Sequence, residues 1–394
     1  MLYHIWLQNA LGFANKKIKK VLSTYSDVKN IYTAKVNDLI LSGLFTEKEI
    51  SKVSDKNLDA ARKILNTCNK QGIEIITYES ERYPTLLREI PNPPLLLFAL
   101  GNTALLNNEP CICIVGPRKV SVFGNKAAFS LAARLSAGGM TVVSGGAIGT
   151  DAAAHKGALA LGGNTIAVLG CGFNDNYLMK NKELRKKVAE SGLLISEFPP
   201  DYPVFKHNFP IRNRIMSGIS LGTVVIEAHE KSGSLITANL ANEQGRDVFV
   251  IPGNPTLPNY KGSNALLRDG AKPLLEVNDV LFEYLSVYPH KISPEAAKNA
   301  VIKMEVTEKT TEKTQTSVKT SEKQEVQQKF SKKIITTGLS KQAEIVYNYL
   351  DKQVFFAEEI NNSVLTDAEI LSALTELEIF GYIEALPGGR YTLK

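Results

Sequence analysis

Apolar residues change their spacing along the chain. Over residues 1–68 they recur at helical intervals, as in Ile18, Val21 and Leu22, and again in Leu39, Ile40 and Leu44, so this part is expected to be short helices. From Gly72 the pattern turns to strands: Ile73–Tyr78, then Pro94–Leu100 ending at Gly101, with a short helix from Pro84 to Ile90 between them. Strictly alternating elements follow. Near-continuous apolar runs at Cys111–Val115, Thr141–Val143, Thr165–Leu169, Leu193–Ser196, Thr223–Ile226 and Asp247–Ile251 predict buried strands. Helices are expected over Val122–Ala137, Thr150–Leu161, Lys182–Glu190 and Ser234–Gln244. Apolar strands alternating with helices imply a parallel sheet covered on both faces. With right-handed crossovers this is an α/β, doubly wound, Rossmann-like fold over 72–288.

Beyond Pro289 the pattern dissolves. Glu305–Lys333 is Thr, Lys, Glu, Gln and Ser with Phe330 as its lone aromatic, and it buries too little to offset ordering entropy. A flexible linker is therefore expected over 289–337, and a compact tail over 338–394. In that tail, helices over Lys341–Leu350, Ala357–Asn361 and Thr366–Phe380 precede a hairpin turning at Pro387-Gly388-Gly389, the order of a winged helix. Its third helix carries Asp367, Glu369, Glu376 and Glu378 and no cation, which favours contact with a protein over contact with duplex phosphates.

Composition narrows the function classes. A net charge of +6 over 394 residues leans only weakly towards a polyanionic partner. Cys68, Cys111, Cys113 and Cys171 form no CxxC pair, and so read as reduced, buried, cytosolic thiols and not as a disulfide frame or a zinc site. No window approaches the ~18 apolar residues of a membrane span, and the start lacks the pattern of a signal peptide. There is no G-x-x-x-x-G-K-[ST], no G-x-G-x-x-G after the first parallel strand, and no G-x-S-x-G or H-E-x-x-H. A P-loop ATPase and a dinucleotide cofactor are thereby disfavoured, and no cofactor or metal is expected.

The candidate chemistry lies at the strand ends. Four glycine-bearing turns should share the carboxyl edge of the sheet: Val115-Gly116-Pro117-Arg118, Ser144-Gly145-Gly146-Ala147, Gly170-Cys171-Gly172 and Lys231-Ser232-Gly233-Ser234. Such turns expose backbone N–H groups to anions at helix N-termini. Beside them should emerge Val204–Arg214, which holds three cations, two phenylalanines and two amides in eleven positions. Pro203 and Pro210 are expected to keep Tyr202 and Phe209 out of helix, and the permanent charges argue against burial. Lys and Arg neutralise phosphates and a rigid ring stacks on a base, so the stretch suits single-stranded nucleic acid. The alternative is a solvated loop whose arginines bridge carboxylates across the sheet edge. Arg118 has the same two readings, a phosphate fork or a bridge to Glu197 or Glu227. Asp151 suits a helix N-terminus and His155 suits packing. Glu197 and Glu227 are the one plausible catalytic pair, but no nucleophile accompanies them.

These runs resemble one family. Val115–Arg118, Val143–His155, Ala167–Gly172, Phe209–Arg214, Lys231–Ala238 and Gly245–Gly253 are similar, in order and spacing, to the DNA-processing protein DprA (Smf) family, over about Gly72–Leu281. The resemblance implies an extended Rossmann domain, a small N-terminal helical (SAM-like) domain over 1–68 and a C-terminal winged helix. It implies a non-catalytic, cytoplasmic, homodimeric mediator that binds single-stranded DNA, protects it and loads the RecA recombinase in natural transformation. By the same resemblance Arg118, Lys206, Phe209, Arg212, Asn213 and Arg214 line the strand pocket, with Gly145, Gly146 and Ser234 adding backbone or hydroxyl contacts. The dimer surface would fall at Gly262–Gly270. Pro117 departs from the family's Ser or Thr and removes one N–H and one hydroxyl; Phe123, Thr150 and Leu178 depart more mildly. The rival from another class is a Rossmann-like phosphoribohydrolase, whose P-G-G-x-G-T-x-x-E turn is not matched by Lys231–Thr237.

Overall fold

The computed structural model describes residues 1–108, 110–176, 181–301, 339–349, 354–356, 360, 365–380, 382–386 and 390–393. The chain divides into two compact units, Met1–Glu305 and Val306–Lys394.

The first unit is built on a nine-stranded sheet: β1 (Glu74–Thr77), β2 (Leu96–Gly101), β3 (Cys111–Val115), β4 (Thr141–Ser144), β5 (Thr165–Leu169), β6 (Leu193–Ser196), β7 (Gly222–Val225), β8 (Asp247–Val250) and β9 (Lys272–Pro273). Their order is β1-β2-β6-β5-β4-β3-β7-β8-β9. The pairs from β6 to β9 are parallel, while β2 runs antiparallel to both β1 and β6. This is a Rossmann-like α/β sheet with an antiparallel extension. The chain builds outward from β3 through β4 and β5 to β6. It then returns to lay β7 on the other side of β3, with Ile112 opposite Gly222. The reversal leaves a crevice beyond the carboxyl ends of β3 and β7, where open α/β sheets place their ligands.

Strand alternation sorts the core into two faces. Cys111, Cys113, Val143, Ile166, Val168, Ile195, Val225, Val248 and Val250 point to one face, under Ile215 and Met216 of the helix Asn208–Gly218, Ile219 just past its end, and Ala238 and Ala241 of the helix Gly233–Glu243. Ile112, Ile114, Val142, Val224 and Phe249 point to the other, under the helices Val122–Ala137 and Thr150–Ala160. All four cysteines are buried thiols outside any disulfide. The expected strands and the helices Val122–Ala137, Thr150–Ala160 and Gly233–Glu243 stand within a residue or two of their predicted limits.

Six short helices precede the sheet, from Leu2–Leu11 to Asp59–Gln71. They share one core with β1 and β2: Leu7, Val21, Ile31 and Leu39 pack with Ile75, Leu96 and Phe98, each of them buried. Phe45 is buried in this cluster and acts as packing.

Two expectations are corrected. Phe209 and Pro210 lie inside the helix Asn208–Gly218. A proline is tolerated in a first turn, where its absent N–H has no intrahelical acceptor to lose. The ordered part also extends past 288: the helix Pro294–Asn299 buries Ala297, and Ile292 is buried beside it. The helices Lys261–Arg268 and Asn278–Leu285 also follow β8 in this unit.

The second unit has the helices Lys341–Tyr349 and Asp367–Ile379 and three short strands, β10 (Val354–Phe356), β11 (Ile383–Leu386) and β12 (Arg390–Leu393), in the antiparallel order β10-β12-β11. Thr366 and Glu369 form a capping box at the second helix. Apart from Ile360, the helix expected over 357–361 lies outside the described residues, as do the turn at 387–389 and the linker over 302–337.

Phe98→Ala tests the shared core of helices and sheet. Truncating this buried ring is expected to cost ~3–5 kcal/mol in a urea unfolding titration. A cost below ~1 kcal/mol contradicts that core.

Candidate nucleic-acid interface

The crevice at the strand reversal is a cleft of about 360 Å³. Its walls are the Gly116–Arg118 turn after β3, Ala147 and Asp151 after β4, Phe209, Arg212 and Asn213 of the crossover helix, and Ser232, Gly233, Ser234 and Thr237 after β7.

Close backbone packing sets the first wall. Thr150 donates to the Pro117 carbonyl through its N–H at 3.3 Å and through its hydroxyl at 3.2 Å. A Cβ on Gly116 would lie 2.4 Å from the Thr150 hydroxyl, so only glycine fits there. Gly149 has φ +80°, and a Cβ on it would strike the Arg118 carbonyl at 2.4 Å. The turn therefore holds Arg118, which is exposed, at the mouth of the cleft. Its guanidinium lies over the Phe209 ring, 4.9 Å from the centroid, a cation–π arrangement that pre-orients both groups.

The Phe209 ring in turn covers Gly170, where a Cβ would come within 3.2 Å of it. Asn208 Nδ2 donates to the Gly170 carbonyl at 2.9 Å and ties the start of the helix to the end of β5. On the opposite wall, Ser232 caps the helix Gly233–Glu243 and its hydroxyl lies 2.7 Å from that of Ser234. The first turn of that helix faces the cleft with N–H groups at its positive end.

The turn at Gly145-Gly146 works differently from expectation. Both glycines are buried. The Ala147 N–H donates to Asp151 Oδ2 at 3.2 Å, and the Gly145 N–H and the Ser144 hydroxyl also support that carboxylate. A protein carboxylate thus occupies the anion-binding bend. A Cβ on Gly145 would lie 1.6 Å from Arg212 Nη1, so this glycine makes room for a guanidinium. Burial pushes the Asp151 carboxyl above its usual range, and the Arg212 charge opposes that push. Burial likewise works against the charge of Arg212, and Asp151 sustains it. Arg212 is 5% exposed, and its Nε has no hydrogen-bond partner among the described residues. It forms a buried cationic floor.

Arg214 departs furthest from expectation. It is 2% exposed and pairs with Glu197, itself 2% exposed, by Nη2···Oε2. Its alternative reading, a bridge to a strand-end carboxylate, is the observed one. The helical stripe Asn208, Arg212, Ile215, Met216 and Ile219 faces inward, and that spacing was the available signal for Arg212, whereas Arg214 lies off it. Glu197 also accepts the Ala14 N–H at 3.1 Å, and Glu227 accepts from Ser121 and, at 3.0 Å, from the Tyr260 hydroxyl. The two glutamates considered for catalysis are thus engaged in structural contacts. Of the remaining predicted residues, Asn213 and Ser234 line the cleft, and Lys206 is exposed on the loop entering the crossover helix. Sequence reasoning missed the part played by Asp151 and Thr237 in forming the cleft, while the Ser232 turn was expected on this edge.

His155 is packed and neutral. Its Nδ1–H donates to the Thr165 hydroxyl at 2.7 Å, because that hydroxyl itself donates to the Val142 carbonyl at 2.7 Å. Burial first, and the Arg212 charge second, push its pKa down to about 3.

This sheet, the reversal cleft and the basic crossover helix coincide with a known family. The family model for DNA recombination-mediator protein A matches residues 74–285. The chain belongs to that family. Members are DNA-processing recombination mediators, and this member shares the DNA-binding, recombination-linked role. It is 39% identical to the DNA processing protein DprA of Bacillus subtilis over 221 residues, covering 56% of this chain and 74% of that one. The structure of DNA processing protein A from Streptococcus pneumoniae aligns with a TM-score of 0.64 at 34% identity, covering 72% of this chain and 98% of that one. A structure of the Helicobacter pylori DNA processing protein A, determined for its single-stranded DNA binding mode, aligns with a TM-score of 0.50 at 29% identity, covering 55% of this chain and 99% of that one. Among the described residues of this family member, no helix is long and apolar enough to cross a membrane and no cluster could hold a metal ion.

Two outcomes follow for stability. Arg214→Ala strands a buried Glu197 charge and is expected to cost ~3–5 kcal/mol, whereas Arg118→Ala at the exposed mouth changes stability by at most ~0.5 kcal/mol; equal costs in urea unfolding contradict the two placements. For His155, the folded pKa of about 3 lies below the ordinary value of 6.5. The unfolded chain therefore binds a proton that the folded chain refuses. The contribution is full above pH 6.5 and is lost as pH falls towards 3, by up to ~1.4 kcal/mol per pH unit. His155→Leu is expected to flatten stability against pH by one proton in that window, and an unchanged slope contradicts a neutral His155.

Proposed function

We propose that the cleft binds single-stranded DNA and that the chain acts without turnover as a recombination mediator. It shields an incoming strand and loads the RecA recombinase onto it during natural transformation. The observation that carries this reading is Arg212: a nearly buried cation with an unpartnered N–H lines an open cleft, beneath a half-exposed ring and an exposed arginine. A buried cation of this kind is matched by an anion that brings its own charge.

Arg118 grips a phosphate at the mouth, Arg212 attracts it from the floor, and Lys206 adds charge on the approach. The Ser234 hydroxyl and the N–H groups beginning the helix Gly233–Glu243 hold a second phosphate oxygen. Phe209 stacks a base and Asn213 borders it. Gly145 and Gly146 shape the floor, and Arg214 holds the helix in place. Sequence tolerance follows, because every base presents a ring face to Phe209. The Helicobacter pylori relative, studied for single-stranded DNA binding, supports the choice of ligand.

The rest of the proposal follows the family resemblance. The helices before β1 form the SAM-like domain, the second unit is a winged helix whose acidic helix meets a protein, and the chain is a cytoplasmic homodimer. Pro117 supplies no N–H to a phosphate, which leaves Arg118 and the Ser234 turn as the principal grips.

Gel shifts on single- and double-stranded oligonucleotides across a salt series test the reading. Single strands are expected to bind more tightly. Arg118→Ala and Lys206→Ala should each lower the log–log salt slope by ~0.7, and Phe209→Ala should cost ~1–3 kcal/mol. Wild-type binding by all three variants contradicts the assignment.

A further inference from the structure

Two more rings stand on the loop that enters the crossover helix. Phe205 and His207 lie parallel, with centroids 5.4 Å apart and planes 8° from one another. Both are exposed, as is Lys206 between them. They form the outer end of a column of rings. Phe13 meets Phe198 at 4.6 Å, Phe198 stacks on Tyr202 at 5.2 Å, and Tyr202 meets Phe205 edge-on at 5.9 Å. Phe198 is wholly buried, so the column is rooted in the core.

The loop itself is held from below. Gly172 donates to the Tyr202 carbonyl at 2.8 Å and Asn174 to the Pro200 carbonyl at 2.9 Å. The Val204 N–H donates to Asp175 Oδ2 at 3.1 Å. The Asn208 N–H returns to the Phe205 carbonyl at 3.0 Å, closing a turn that delivers the chain directly to Phe209. Ordered, solvent-facing rings with a cation between them already bear the ordering cost that a ligand would otherwise incur.

We propose that Phe205 and His207 form a second stacking step for the same single strand. A strand with one base on Phe209 runs outward past Lys206 and lays a further base on the Phe205–His207 pair. This rests on the reading of the Phe209 cleft as a single-strand site. The occupant is nucleic acid and not an apolar peptide, because exposed Lys206 lies between the two rings in sequence and the loop turns directly into Phe209 of the cationic cleft.

The test uses the full chain and fluorescence anisotropy with oligothymidylates of increasing length. Phe205→Ala/His207→Ala is expected to bind the shortest measurable oligonucleotide like wild type and to lose about tenfold in affinity on longer ones. Phe209→Ala should lose affinity at every length. Phe205→Tyr/His207→Phe, which keeps both rings, should bind as wild type and guards against a folding defect in the double alanine variant. If the double alanine variant binds every length like wild type while Phe209→Ala is weakened, the second step does not exist. If the ring-keeping variant is as weak as the alanine one, charge at His207 and not stacking is responsible, and the proposal falls. If Phe209→Ala also binds like wild type, the underlying cleft reading fails instead.

Discussion

The contact between Arg214 and Glu197 joins three parts of the molecule at one carboxylate. One oxygen of Glu197 takes the guanidinium of the crossover helix and the other takes the Ala14 N–H from the N-terminal helices, while its backbone carbonyl accepts Gln8 Nε2 at 2.8 Å. Both charges are nearly sealed from water, so neither tolerates loss of the other. The cost of desolvating them is met by locking the crossover helix at one angle to the sheet. That angle places Phe209 over Gly170 and Arg212 against Gly145, and so sets the shape of the cleft.

A gradient of cation burial follows. Arg214 is buried and ion-paired to Glu197 through Nη2, while its Nε and Nη1 have no acceptor among the described residues. Arg212 is buried but only partly served: Asp151 is its main electrostatic support, and its Nε lacks an acceptor. Arg118 is exposed and rests on a ring. Three arginines that look interchangeable in the sequence thus divide into an anchor, a floor and a mouth. The glycines around them serve mainly to let chains approach: Gly116 meets Thr150, Gly145 meets Arg212 and Gly170 meets Phe209.

Much of the sheet was legible, because buried parallel strands leave near-continuous apolar runs and the helices between them are long enough to show their period. The carboxyl-edge position of the glycine turns followed from that order alone. The crossover helix was misread for a local reason and a distant one. Pro210 reads as a helix breaker, but a first turn has no N–H to lose there. Arg214 reads as solvent-facing, since its partner Glu197 lies across an intervening loop and no spacing rule links them. The nest at Gly145-Gly146 was misassigned in the same way: its motif is that of an anion site, and the anion is Asp151. The limit at 288 fell short because the helix Pro294–Asn299 is too brief and too polar to reveal Ala297 as core.

The central claim is that a single strand lies in the reversal cleft with a base against Phe209. Photo-crosslinking of an oligodeoxynucleotide carrying halogenated uracil, followed by peptide mass spectrometry, reads this contact directly. The account predicts adducts on Phe209 and its neighbours between residues 205 and 213. Adducts confined to other surfaces, such as the second unit, would contradict it.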